Sequence, residues 1–184
     1  MKIPSRSMFV KTFLLAVTAA GCSTGFLSRK PAAAATANLA SPNGTSVGTV
    51  QLRQSTDGFV TVDLAVSSLT PGSHGIHFHA VGLCEGATSF STAGAHYNPL
   101  NKEHGLARPG GPHAGDAPNI VVGSDGRATV SFTTDRITLT PSATTLFDTD
   151  GSSVVIHAAP DDQVSQPAGN SGGRVACGVV RATP

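Results

Sequence analysis

An all-β fold, an antiparallel sandwich or barrel, follows from three properties of the sequence. Apolar residues alternate singly with polar ones, turn signals recur between the alternating runs, and no 12-residue stretch beyond the leader carries a helical period. The length of 184 residues suggests one domain, and 21 Gly with 12 Pro make about 18% of it, against roughly 12% in average usage. Many tight turns are implied.

In chain order, the first segment belongs to export rather than to the fold. Lys2, Arg6 and Lys11 precede the apolar run Thr12 to Cys22, a basic start followed by a core too short to span a bilayer, so residues 1–22 read as a signal peptide. Ala19-Ala20-Gly21-Cys22 resembles a bacterial lipoprotein box, in which Cys22 would be lipidated and become the new N-terminus. The competing reading is an ordinary cleavage within Pro31 to Ala37. Residues 23–40 read as a small-residue tether with no capacity to pack a core, leaving 41–184 as the folded domain.

Within that domain Val50 and Leu52 alternate with Gln51 and Arg53, and Val60, Val62, Leu64 and Val66 share one face of Gly58 to Val66. Ala128, Val130 and Phe132 likewise oppose Thr129, Ser131 and Thr133. Thr56-Asp57-Gly58, Ser124-Asp125-Gly126 and Asp148 to Gly151 are turn signals between such runs.

Six of the seven histidines and one aspartate fall in the order His77, His79, His96, His104, His113, Asp116 and His157. These are too many ligands for one metal, which points to two metals sharing a ligand. On a strand, His77 and His79 project from one face while Ile76 and Phe78 take the other. His104 precedes His113 across the Gly/Pro-rich stretch 105–112, and Asp116 follows in a turn that Gly115 allows to fold back, so this segment reads as a loop wrapped around an ion. Imidazole suits copper and zinc alike, whereas a tetrahedral site with one carboxylate, as His104, His113 and Asp116 would offer, suits zinc better. His157 ends the apolar run from Ser153 and would join His77 and His79 only through the fold, while His96 stands between the two groups.

At these residues the chain resembles the copper,zinc superoxide dismutases. The likeness covers roughly Gly44 to Val180 and includes Gly75 to Cys84, Ala93 to Pro99, the His104, His113 and Asp116 spacing, Val155 to Ala158 with Asp161 after it, and Gly172 to Gly178. It implies an eight-stranded antiparallel Greek-key β-barrel of immunoglobulin-like sandwich type. Two long loops, about 81–119 and 158–174, would form the metal-binding and electrostatic loops on its outside. It further implies copper on His77, His79, His96 and His157, zinc on His96, His104, His113 and Asp116, and His96 as the bridge. Asp161 would link His77 to His104, and Arg174 would guide the anion. Cys84 and Cys177 would form a disulfide, which suits an oxidising destination and is worth about 4 to 5 kcal/mol on the chain-entropy model. His74 has a counterpart in the family and reads as a structural hydrogen-bonding residue facing away from the ligands.

The implied activity is dismutation of superoxide to dioxygen and hydrogen peroxide, with His96 taking and returning a proton and no organic cofactor. A second reading, of another class, is a non-catalytic exported copper-binding protein, which would be expected to lack a ligand or the arginine. Beyond residue 30 the chain carries seven basic against eleven acidic residues, a formal charge of −4, and the basic ones are scattered, which excludes a nucleic-acid partner. A net negative protein that takes an anion needs a local positive focus, and Lys102 and Arg108 add little to what copper and Arg174 would supply. The expected location is periplasmic, secreted or lipid-anchored through Cys22. The resemblance admits a homodimer, for which the sequence shows no face.

Overall fold

The computed structural model describes Met1 and residues 32–184, so the segment expected to be a signal peptide, apart from Met1, and Cys22 with it lie outside the described residues. The described residues form ten strand segments: β1 (Ala33–Ala40), β2 (Ser46–Gln54), β3 (Val60–Val66), β4 (Gly72–His74), β5 (Ile76–His79), β6 (Ile120–Val122), β7 (Ala128–Thr134), β8 (Ser153–His157), β9 (Arg174–Val179) and β10 (Arg181–Thr183). Gly75 alone separates β4 from β5 and Val180 alone separates β9 from β10, so the segments amount to eight strands, as expected. The order is β5-β8-β9-β1-β2-β3-β7, with β10 extending the sheet along β1. All the ladders are antiparallel. β4 continues β5 and pairs β6, which packs beside β7 and brings the sheet back on itself. β3 pairs β7 rather than β4, a Greek-key crossing.

The alternation read from the sequence fills the interior. Val50, Leu52, Val60, Val62, Leu64 and Val66 are buried in one core with Ile76, Phe78, Val154 and Ile156, and each such side chain contributes about 1.5 to 3 kcal/mol. Over β5, β8 and β9 the outer face is covered as well. Val155 turns away from the main core into a second cluster with Phe90, Ala93 and Cys177, so β5 and β8 are buried at every residue.

The tether expected over 23–40 is corrected by the fold. Ala33–Ala40 is strand β1, in the middle of the sheet, paired with β2 along its whole length and with β9 and β10 on its other edge. Ala35, Ala37 and Leu39 are buried while Thr36 and Asn38 face the other way. Alanine carries little strand propensity of its own, so the partners on both sides decide the conformation.

The two expected loops fall at 80–119 and 158–173. Parts of the first add to the sheet beyond β5. The Tyr97 N–H donates to Phe78 O at 2.8 Å, the Phe78 N–H to Gly115 O at 2.9 Å and the Gly115 N–H to Tyr97 O at 2.8 Å. A Cβ at Gly115 would sit 2.3 Å from Phe78 O. Glycine is needed there for close backbone approach rather than for turning the chain, and this contact seats the loop against the histidine strand.

Candidate metal centre

His77 and His79 occupy the outer face of β5, and His157 ends the neighbouring β8, with β5 and β8 in register from Ile76 opposite Ile156 to His79 opposite Ser153. Isolated bridges set His96 opposite His79 and Asp116 opposite His77. The six histidines and Asp116 are all buried. Two four-residue groups result, His77, His79, His96 and His157, and His96, His104, His113 and Asp116, each offering donor atoms within 4.8 Å of one another and sharing His96.

Hydrogen bonds fix which nitrogen is free in the rings of His77, His79 and His157. His79 donates from Nδ1 to Gly94 O at 2.9 Å and His157 from Nδ1 to Gly172 O at 3.2 Å, leaving their Nε2 atoms facing each other at 3.4 Å. His77 donates from Nε2 to Asp161 Oδ2 at 2.7 Å, leaving Nδ1 buried without a partner. His96 Nε2 is likewise buried and unpartnered, while its Nδ1 lies 3.1 Å from Asp116 Oδ1. One ring therefore faces both groups. Around Asp116 Oδ1 gather the Nδ1 atoms of His96, His104 and His113 at 3.1, 3.0 and 3.4 Å. Asp116 Oδ2 accepts the Gly105 and His113 N–H groups at 2.8 and 2.9 Å. Three orphaned ring nitrogens, those of His77, His96 and His113, are what a buried site looks like when cations are its missing partners.

Asp161 also lies among buried histidines, but at hydrogen-bond distances from the far nitrogens of His77 and His104, 2.7 and 3.0 Å, so it joins the two groups from outside them. Asn119 grips its backbone in both directions, at 2.8 and 2.9 Å. A Cβ at Gly169 would fall 1.7 Å from Asp161 Oδ1, so only glycine lets the chain pass over that carboxylate.

Electrostatics divide the two halves. Burial first, and then neighbouring imidazoles, push His96 down to about 4 and His157 down to about 3, with His79 also held well below the ordinary value. At His104 burial acts in the same direction but is outweighed by Asp116 and Asp161, which raise it. Burial pushes Asp116 up, yet hydrogen bonds from His104, His113, His96 and Gly105 hold it far below the carboxylate range. In the first half His79, His96 and His157 are thus held toward the neutral form, whereas the second is built around the negative charge of Asp116.

The groove above the first group is a cavity of about 380 Å³ walled by His79, His96, His157, Gln166, Ser171 and Arg174, among others. Arg174 donates from Nη1 to Phe90 O and from Nη2 to Gly94 O at 2.6 Å, which fixes its guanidinium at the cavity edge. Cys84 and Cys177 form a disulfide with Cα atoms 5.7 Å apart, tying the segment that carries Phe90 to β9. His74 is buried with Nδ1 2.7 Å from His157 O and Nε2 2.8 Å from Thr70 O, away from the ligand nitrogens as expected. Lys102 and Arg108 do not line the cavity. Sequence reasoning missed Asn119, Gln163, Gln166 and Arg136, the last donating to Asp116 O at 2.8 Å, because all four act on main-chain groups and belong to no ligand pattern.

A β-barrel that buries two imidazole-rich groups on a shared ring has the donor sets of a metalloprotein. Residues 46–180 match the family described as copper/zinc superoxide dismutase (SODC). The chain is 41% identical over 150 residues to a copper-zinc superoxide dismutase of Caulobacter vibrioides, covering 80% of this chain and 85% of that one. It is 40% identical over 147 residues to superoxide dismutase [Cu-Zn] 1 of Aquifex aeolicus, covering 79% and 86%. Among solved structures, a superoxide dismutase-like protein from Bacillus subtilis superposes with a TM-score of 0.74 at 39% identity, covering 78% of this chain and 96% of that one. The chain belongs to the copper/zinc superoxide dismutase family, and its cofactors are copper and zinc.

The depressed histidines make the metal-free protein sensitive to mild acid. Between the unfolded value near 6.5 and the folded values of about 4 for His96 and about 3 for His157, the unfolded chain binds protons that the folded rings refuse. Stability from these rings is full above about pH 6.5 and is lost as pH falls. His104, raised, acts oppositely, contributing below 6.5 and losing that contribution as pH rises through its folded value. Over that window the contribution of His104 stays nearly constant, so the urea midpoint of the metal-free protein should rise from pH 4.5 to 6.5; a flat or falling midpoint would contradict this account.

Proposed function

We propose that the protein dismutates superoxide at copper held by His77, His79, His96 and His157, beside zinc held by His96, His104, His113 and Asp116, with His96 as the bridge. The observation that carries this reading is His96 itself, which belongs to both donor groups, with Nε2 buried and unpartnered and Nδ1 beside the Asp116 carboxylate. Copper supplies the one-electron redox change, while zinc, which has none, fixes charge and geometry. Asp161 orients the His77 and His104 rings through their outer nitrogens.

The residues then divide the work. Arg174, held by two carbonyls, presents a cation at the cavity edge and draws the anion inward. One superoxide gives up its electron and leaves as dioxygen. A second accepts that electron with two protons and leaves as hydrogen peroxide. His96, one of the residues lining the cavity, takes up and returns one of those protons, and the other comes from solvent. The alternative, a non-catalytic copper-binding protein, would be expected to have lost a donor or the arginine. Both four-donor groups and Arg174 are complete here.

His157→Ala separates the halves. It should abolish dismutation while zinc stays stoichiometric by elemental analysis, because His157 belongs to the copper group alone. Equal loss of both metals from a folded variant would overturn the division of ligands.

Arg174→Ala should lower the second-order rate about 10 to 100-fold, equivalent to roughly 1.4 to 2.7 kcal/mol, without displacing either metal. Arg174→Lys should lose less. The wild-type rate should fall with ionic strength more steeply than that of the Ala variant; equal slopes at matched copper content would remove Arg174 from substrate guidance.

We further propose an exported protein acting against superoxide outside the cytoplasm. A signal peptide over 1–22 and the Cys84–Cys177 disulfide support this, and lipidation of Cys22 would anchor the barrel to the cell envelope. Because β1 begins at Ala33, cleavage in the 31–37 stretch is compatible with the whole strand only at its start. Intact mass should give a mature chain beginning at Cys22 with acyl groups, or at or before Ala33; an active soluble protein beginning at Asn38 would refute both.

A further inference from the structure

The segment 104–106 carries a proposed zinc ligand but belongs to no strand, and its three successive N–H groups are each taken by a side chain. The Gly105 N–H goes to Asp116 Oδ2. The other two go to glutamines of the second loop. The His104 N–H donates to Gln166 Oε1 at 2.8 Å, and Gln166 Nε2 donates back to His104 O at 2.9 Å. The Leu106 N–H donates to Gln163 Oε1 at 3.1 Å, and Gln163 Nε2 donates to Ala117 O at 3.2 Å. Gln166 thus treats His104 as a neighbouring strand would, satisfying its donor and its acceptor together. The same residue lines the cavity over the copper group, so one side chain touches the channel wall and the backbone of a zinc ligand.

We propose that Gln166 is a positioning residue for the zinc half: its paired hydrogen bonds to the His104 main chain hold that ligand in register and make zinc retention depend on the loop that walls the copper cavity. This rests on the ligand assignment above. Backbone amides left unpaired in a buried loop are costly, so removing the amide frees the segment to shift rather than to remain in place. Gln163, two residues from Asp161 and bonded to its Oδ1 through its own N–H at 2.6 Å, gives a second, weaker attachment.

The experiment uses the metal-loaded protein and a chelator in excess. Gln166→Ala should release zinc about 10-fold faster, within the usual range for groups that support metal ligands, with copper affinity changed by less than about 2-fold. With cobalt(II) alone in the zinc position, the visible bands should shift in the variant. Gln54→Ala removes a buried glutamine far from the site, which holds the Leu139 N–H at 2.6 Å, and controls for general loss of stability. It should leave zinc release and the cobalt bands unchanged. Should Gln166→Ala fail to fold, Gln166→Glu decides the matter: it keeps the acceptor for the His104 N–H, loses the donor to His104 O, and should still accelerate release. Wild-type release and cobalt bands in the folded Gln166 variant would overturn the proposal, as would equal loosening of copper and zinc. His104→Ala keeps the two claims apart, since full zinc retention there would sink the ligand assignment, whereas its loss beside an unaffected Gln166 variant would sink only this inference.

Discussion

The two-residue alternation of Ile76, His77, Phe78 and His79, on a strand buried on both faces, is the constraint from which the metal centre follows. Ile76 and Phe78 must enter the main core, so His77 and His79 cannot face anything but the opposite side. That side is closed by loop segments hydrogen-bonded to β5 itself, through Phe78, Tyr97 and Gly115. A register slip of one residue would bury two imidazoles in a hydrocarbon core and expose a phenylalanine, so register and site are specified by the same four residues. The loops bring the remaining donors to a platform that already points the right way.

Burying six rings and two carboxylates would be ruinous if they were unpaired. The fold handles this in part by giving three of the rings a definite proton position. Gly94, Gly172 and Asp161 take one proton from each of three rings, and the opposite nitrogens are left bare toward the interior of the group. Asp116 does the converse, collecting ring nitrogens around one oxygen while two main-chain amides hold the other. The neighbouring loop contributes no lysine between Asp161 and Gly173, so its wall is neutral and polar and the charge at the cavity edge is concentrated in Arg174.

Much of this was legible in the sequence, for physical reasons that also mark its limits. Histidine and aspartate ligands stand out because no hydrophobic period explains them, and the Val60 to Val66 strand stands out because one of its faces is apolar throughout. Strand β1 was hidden because Ala35 and Ala37 fill a narrow part of the core with side chains that carry almost no pattern. Gln163, Gln166, Asn119 and Arg136 were hidden for a different reason: their partners are peptide groups, and a peptide group has no identity that a sequence can display. Cys84 and Cys177 pair as the family resemblance implied, and the fold adds what they fasten, a small outer cluster with Ala93 and with Phe90, whose carbonyl accepts from Arg174.

The position of β1 bears on the order in which the protein can assemble. The earliest strand of the domain pairs with β9 and β10, separated from it by nearly the whole chain, as Thr36 opposite Arg181 illustrates. A ribosome or a translocation channel releases the chain from one end, so β1 can zip with β2 at once but keeps its other edge bare until the last residues emerge. Such long-range pairing is slow because loop-closure entropy must be overcome before the contacts form. The barrel is therefore completed only once β9 and β10 have emerged, and until then an unpaired strand edge is open to any partner that reaches it.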